Sequence, residues 1–161
     1  MIDEEKLTTT QRGKIAELHV ATALMGQSSG RLSPFEPISD DHGIDLVVLD
    51  KVTGRALPIQ VKAWFLMPDK KGNTVQFDVR KATHSSDQMG AVICVVLDPE
   101  TLEIKVSWVI PIKDISTVGT ERPGKFALAP SIQENSNDKY TRYRHHSLAG
   151  LEAAVMALLS E

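Results

Sequence analysis

The stretch that decides the fold is "GIDLVVLDKVTGRALPIQVKAW", Gly43 to Trp64. Two mostly apolar runs, "IDLVVLD" and "ALPIQVKAW", flank the turn sequence "KVTGR", the pattern of a β-hairpin. Three polar residues interrupt it: Asp45, Gln60 and Lys62. Side chains alternate along a strand, so Gln60 and Lys62 share one face while Ile59 and Val61 take the other. A turn centred near Thr53 brings Asp45 opposite the region of Gln60 to Lys62. One carboxylate, one amide oxygen and one ammonium then converge at one end of the hairpin. A hard divalent cation takes oxygen ligands, which Asp45, Gln60 and the Val61 carbonyl can supply. Lys62 is placed to orient a water or to stabilise charge on a phosphate. The alternative is plain: Lys and Gln also decorate the solvent faces of strands.

The flanking sequence reads as a mixed α/β chain. "TTTQRGKIAELHVATALMG" has helical periodicity at Ile15, Leu18, Ala21 or Thr22, and Met25, with Thr9 or Thr10 as N-cap and Gly26 as stop. A short strand within Arg31–Ile38 is weakened by two prolines. "TVQFDVR" alternates like a strand, and "KATHSSDQMG" suits a short helix ending at Gly90. "AVICVVLD" is continuously apolar and β-branched, the mark of a strand buried on both faces. "LEIKVSWVIPI" is a further strand, Asp114 to Tyr143 carries little signal, and "SLAGLEAAVMALLS" is an amphipathic helix capped by Ser147. The order implies helices around a mixed central sheet in one domain spanning 1–161.

Composition sets bounds. The chain has 161 residues, 42% hydrophobic and 24% charged, with formal charge -3. That charge gives no overall pull toward nucleic acid and leaves room for a local basic patch. The lone cysteine, Cys94, cannot form an internal disulfide and suits a reducing, cytoplasmic setting. The polar, acidic start "MIDEEKLTTTQRGK" is unlike a signal peptide, and no apolar run reaches membrane-spanning length.

Other residues are candidates for contact with nucleic acid. Glu17 falls at the border of the first helix's apolar face, where it can complete a metal site over the sheet, and Lys14 lies one turn before it. Asp40, Asp41 and His42 precede the hairpin, where they could join the site or position a second metal, though "SDDHG" is foremost ordinary turn chemistry. His84, with Ser85 and Ser86, can grip phosphate at a helix start or serve as a cap. "DKYTRYRHHS" sets Lys139, Arg142, Arg144, His145 and His146 among Tyr140 and Tyr143, a mix that suits a phosphate backbone and a stacked base. The five histidines lack the spacing of a zinc site, and Trp64 and Trp108 read as core.

"GKIAELHVATAL", "DDHGIDLVV" and "IQVKAW" together resemble the PD-(D/E)xK nuclease superfamily. The Gln-x-Lys form is similar to Mrr-type restriction endonucleases, and the layout to Holliday-junction resolvases, which usually carry Glu at the Gln position. The resemblance covers about the first hundred residues. It implies a restriction-endonuclease-like αβββαβ core over about 8–110, with a C-terminal extension and helix over 147–160. It further implies Mg²⁺ (or Mn²⁺)-dependent cleavage of DNA phosphodiesters. Glu17 would match the helix glutamate, Asp45 the metal-binding aspartate, Gln60 the variable ligand and Lys62 the catalytic lysine. Ile44 stands where the motif has Pro, and Gln60 is uncharged. A homodimer is expected by analogy. The alternatives are a non-catalytic nucleic-acid- or partner-binding module on the same fold, or a subunit of a restriction or defence complex docking through 114–143.

Overall fold

The first helix, α1 (Thr9–Gln27), starts one residue earlier than the sequence suggests. Thr8 is the N-cap, because Gln11 sits three residues on and closes a capping box. The helix passes through Gly26, which was expected to stop it. It ends where Ser29 (φ 52°) and Gly30 (φ 79°) turn left-handed and Gly30 N–H donates to the Met25 carbonyl. This computed structural model describes residues 6–39, 42–69 and 71–161, so Asp40 and Asp41 lie outside the described residues.

The strands are β1 (Leu32–Phe35), β2 (Leu46–Asp50), β3 (Ala56–Phe65), β4 (Phe77–Arg80), β5 (Ala91–Leu97), β6 (Ile104–Pro111), β7 (Thr120–Arg122), β8 (Lys125–Leu128) and β9 (Arg144–His145). Two further helices are α2 (Ile112–Val118) and α3 (Leu148–Leu159). The main sheet runs β1-β2-β3-β5-β6-β9 and is mixed, with β3 and β5 its parallel pair. A second, three-stranded sheet runs β4-β8-β7. The fold is therefore mixed α/β, with helices around a mixed central sheet, as expected.

The expected hairpin is β2–β3, with Leu46 opposite Ile59 and Leu49 opposite Ala56. Its turn is fixed by Asp50, whose buried carboxylate accepts from Arg31 Nε (2.8 Å), Arg31 Nη2 (2.7 Å), Thr53 Oγ1 (2.8 Å) and Val52 N–H (3.0 Å). These partners, the Arg31 guanidinium first, hold its pKa far below the usual carboxylate range. Pro34 is tolerated because β1 is the sheet edge.

Strand β5 is buried at all seven positions, as its continuous apolar run suggests. Ile93, Val95 and Leu97 face one core, shared with Ala16, Val20 and Leu24 of α1 and Leu151 and Val155 of α3. Val92, Cys94 and Val96 face a second core, shared with Trp108 and the inner residues of β4, β8 and α2. The C-terminal helix thus packs into the first core. Its cap is the expected Ser147, whose Oγ accepts from Gly150 N–H at 3.0 Å.

Three segments depart from the sequence reading. The helix expected in 81–90 is only a single 3₁₀ turn, Lys81–Thr83, so the crossover from β3 to β5 is made by loop and β4. Strand β4 joins the second sheet because its inward residues, Phe77 and Val79, match Leu128 and Phe126 of β8. The weak stretch 114–143 contains most of α2 and the β7–β8 hairpin, closed at Pro123-Gly124 with Gly124 at φ 74°.

Candidate nuclease-like site

Strand β2 stops pairing at Leu46, whereas β3 continues to Phe65. The point of separation is Asp45. Its N–H donates to the Ile59 carbonyl at 2.9 Å, and its Oδ2 accepts the Val61 N–H at 2.6 Å. The carboxylate thus replaces the main-chain acceptor that β2 would have supplied. In an antiparallel ladder, one residue's N–H and C=O point to the same edge. The Val61 carbonyl therefore faces the edge that β2 has left.

The ladder ends at Leu46 opposite Ile59, so continuing its register by one step sets Asp45 against Gln60. Gln60 lies under Gly43, where a Cβ would meet Gln60 Nε2 at 2.8 Å and Thr83 Cβ at 3.1 Å. Gly43 has φ +65°, so glycine is needed there for backbone and for space. Lys62 is on the same face as Gln60, paired in register with Cys94 of β5. Its positive charge acts on Asp78 of β4 and on the buried Cys94 thiol. Burial nonetheless holds that thiol pKa well above its ordinary value, so Cys94 is core.

A groove of about 360 Å³ runs along the unpaired part of β3. Its walls are Thr9, Arg12 and Gly13 of α1 and Val61 to Phe65 of β3. Glu17 sits on α1 with its side chain 16% exposed, at the border of the apolar face. It is ion-paired with Lys14 at 2.6 Å, and Lys14 also bonds Glu36 at 3.1 Å. Those carboxylates, Glu17 first, raise the Lys14 pKa. Glu36 follows Phe35, which pairs with Val47, so the Lys14–Glu17 pair is tied to the same end of the sheet as Asp45.

Among the described residues, no three His, Cys, Asp or Glu side chains converge as a metal cluster. The hairpin end offers instead one carboxylate, one amide oxygen and one main-chain carbonyl. All are hard oxygen donors, and their single formal charge fits a Mg²⁺ that keeps most of its water.

The remaining candidates lie elsewhere. His84 stacks edge-on against Phe126 (5.0 Å between centroids), and its Nε2 donates to the Ile112 carbonyl at 3.3 Å. Arg142 covers the Tyr143 ring at 4.6 Å and pairs with Asp114 at 3.7 Å. The Arg144 guanidinium donates to Ser136 Oγ (2.5 Å) and to the carbonyls of Ser131 (3.4 Å), Glu134 (2.9 Å) and Ser136 (2.9 Å). Arg144 lies in β9, at the edge of the main sheet and three strands from β3. Tyr140 is buried and its hydroxyl donates to the Val118 carbonyl at 2.9 Å. His42 is exposed in the loop before the hairpin. Sequence reading missed Thr83 beside Gln60, since only the tertiary fold brings the 3₁₀ turn to the hairpin.

No protein-family model and no curated protein matches this chain. Among solved structures it is similar to that of I-Ssp6803I, a bacterial homing endonuclease. The TM-score is 0.61 at 21% identity, covering 95% of this chain and 93% of that one. No helix among the described residues is long and apolar enough to cross a membrane. The likeness spans the C-terminal third as well as the hairpin, and what the two chains share is the fold.

Proposed function

We propose that the protein is a divalent-metal-dependent endonuclease that hydrolyses phosphodiester bonds of DNA. The observation that carries this reading is the separation of β2 from β3 at Asp45, which gathers Asp45, Gln60, Val61 and Lys62 at one sheet end. Likeness to the fold of a homing endonuclease supports it.

In this reading Asp45, Gln60 and the Val61 carbonyl hold Mg²⁺ (or Mn²⁺), with Glu17 the further carboxylate on α1. The metal, when bound, neutralises phosphate charge and acidifies water. Asp45 is preoriented by Val61 N–H, so little ordering is left for the moment of binding. Lys62 is the cation that faces the attacked phosphate and stabilises the charge that develops on it. Lys14 contacts a neighbouring phosphate. The experiment is cleavage of plasmid and short duplex substrates with and without Mg²⁺. Asp45→Ala and Lys62→Ala should each abolish cleavage in a folded protein. Wild-type cutting by both variants would remove these roles.

A second reading, a non-catalytic DNA-binding module, is favoured by the neutral Gln60 and the lack of a three-ligand cluster among the described residues. Calorimetric titration with Mn²⁺ separates the two, because a module has no reason to bind metal at Asp45.

A further inference from the structure

The second sheet carries a row of cations that its own stability does not require. Arg80 of β4 is directly opposite Lys125 of β8, and Lys125 is directly opposite Arg122 of β7. Phe77, Val79, Phe126 and Leu128 turn inward, so all three basic side chains lie on the outer face. Adjacent strands lie about 4.8 Å apart, so the row spans about 10 Å. Like charges at directly opposed positions destabilise a sheet. One carboxylate on the same face offsets part of the repulsion: Asp78 accepts from Lys125 Nζ at 2.6 Å. Among the described residues, Arg80 and Arg122 form no ion pair, and both are exposed. The outer face holds Arg80, Arg122 and Lys125 against Asp78, a local excess of two positive charges on a chain of net charge -3.

The row also joins the candidate site. The Arg80 carbonyl accepts from Thr83 Oγ1 at 3.1 Å, and Thr83 packs beside Gly43 and Gln60. Asp78, on the same strand and face as Arg80, feels the charge of Lys62. Arg80 is thus the end of the row nearest the candidate site.

We infer that the outer face of the β4-β8-β7 sheet, through Arg80 and Arg122 flanking Lys125, is a docking surface for the phosphate backbone of duplex DNA. The contact is to phosphates and carries no base readout. The inference rests on the proposal that the chain acts on DNA, and adds where the duplex lies.

The test is binding without cleavage. Anisotropy of a labelled random-sequence duplex of about 25 base pairs is followed in EDTA over a range of salt concentrations. Each phosphate contact contributes about 0.9 to the slope of log affinity against log salt. The Arg80→Gln/Arg122→Gln variant should therefore have a slope shallower by about 1.8 and at least roughly tenfold weaker binding near 0.1 M salt. Glutamine keeps much of the side-chain stem, and circular dichroism checks the fold. Lys51→Ala/Lys105→Ala, which removes two cations elsewhere, should leave the slope nearly unchanged. A wild-type slope in the arginine variant, or an equal loss in the lysine variant, overturns the docking surface while leaving the DNA reading intact. If wild-type protein binds no duplex at low salt, the DNA reading fails and the docking surface fails with it.

Discussion

The Val61 amide donates to Asp45 Oδ2 at 2.6 Å, so one carboxylate both ends the β2–β3 ladder and forms the centre of the candidate site. Structure and chemistry are therefore separable by substitution. Asp45→Ala leaves the Val61 N–H without its acceptor and should cost about 1–3 kcal/mol in urea unfolding. Asp45→Asn keeps an oxygen acceptor and should recover most of that loss, yet remain as inactive as Asp45→Ala. Restored cleavage in the asparagine variant would show that the charge of Asp45 is dispensable.

Gly43→Ala probes the roof of the site. A non-glycine residue at φ +65° costs about 1–2 kcal/mol. The new Cβ would also press on Gln60 Nε2 and Thr83. Lower stability and displacement of Gln60 are expected, read by denaturation and by weaker Mn²⁺ binding. Unchanged metal affinity at reduced stability would mean that Gln60 is no ligand.

Gln60→Glu places a second carboxylate opposite Asp45. Without metal, the facing charges should destabilise the protein by about 0.2–1 kcal/mol. With Mn²⁺ the order should reverse, with tighter binding in calorimetry and a larger thermal shift than wild type. A variant destabilised to the same degree with and without Mn²⁺ would remove position 60 from the metal site.

Acid stability should depend on Asp50. Its pKa is lowered in the folded state by Arg31, Thr53 and Val52, whereas the unfolded chain titrates near 3.9. Between those values the unfolded state binds more protons, so stability falls as pH falls. The contribution is complete above about pH 5 and is lost progressively below the unfolded value. Asp50→Asn should lower the melting temperature at neutral pH and flatten its decline in acid. An equally steep decline in the variant would place the acid-sensitive group elsewhere.

The hairpin was legible because local rules suffice for it: turn residues, alternation and a short loop fix Leu46 against Ile59 and leave Asp45 at the end of the ladder. Strand β5 was legible for a related reason, since continuous apolar sequence has few other uses. The β7–β8 hairpin was not, although "ERPGKFAL" holds a Pro-Gly turn. Its strands have three and four residues, and β7 is exposed throughout, so no alternation announces it. Strand β4 was seen as a strand but not assigned to a second sheet, because pairing with β8 joins residues 47 apart, as in Asp78–Lys125. The pairing of Glu17 with Lys14 follows local i,i+3 spacing; whether that side chain also served Asp45 depended on tertiary placement alone.

The two cores lie on opposite sides of the main sheet, and the chain's two tryptophans are both associated with one of them. Trp108 is fully buried there against Phe77 (5.9 Å between centroids), and Trp64 packs against the same cluster. Helices α1 and α3 belong to the other core. Tryptophan emission therefore reports one layer, while helical ellipticity, carried mostly by α1 (19 residues) and α3 (12) rather than α2 (7), reports mainly the other. If the small sheet detaches before the helical layer melts, emission will change at lower denaturant than ellipticity. Coincident curves will mean that β5, common to both layers, fuses them into one cooperative unit.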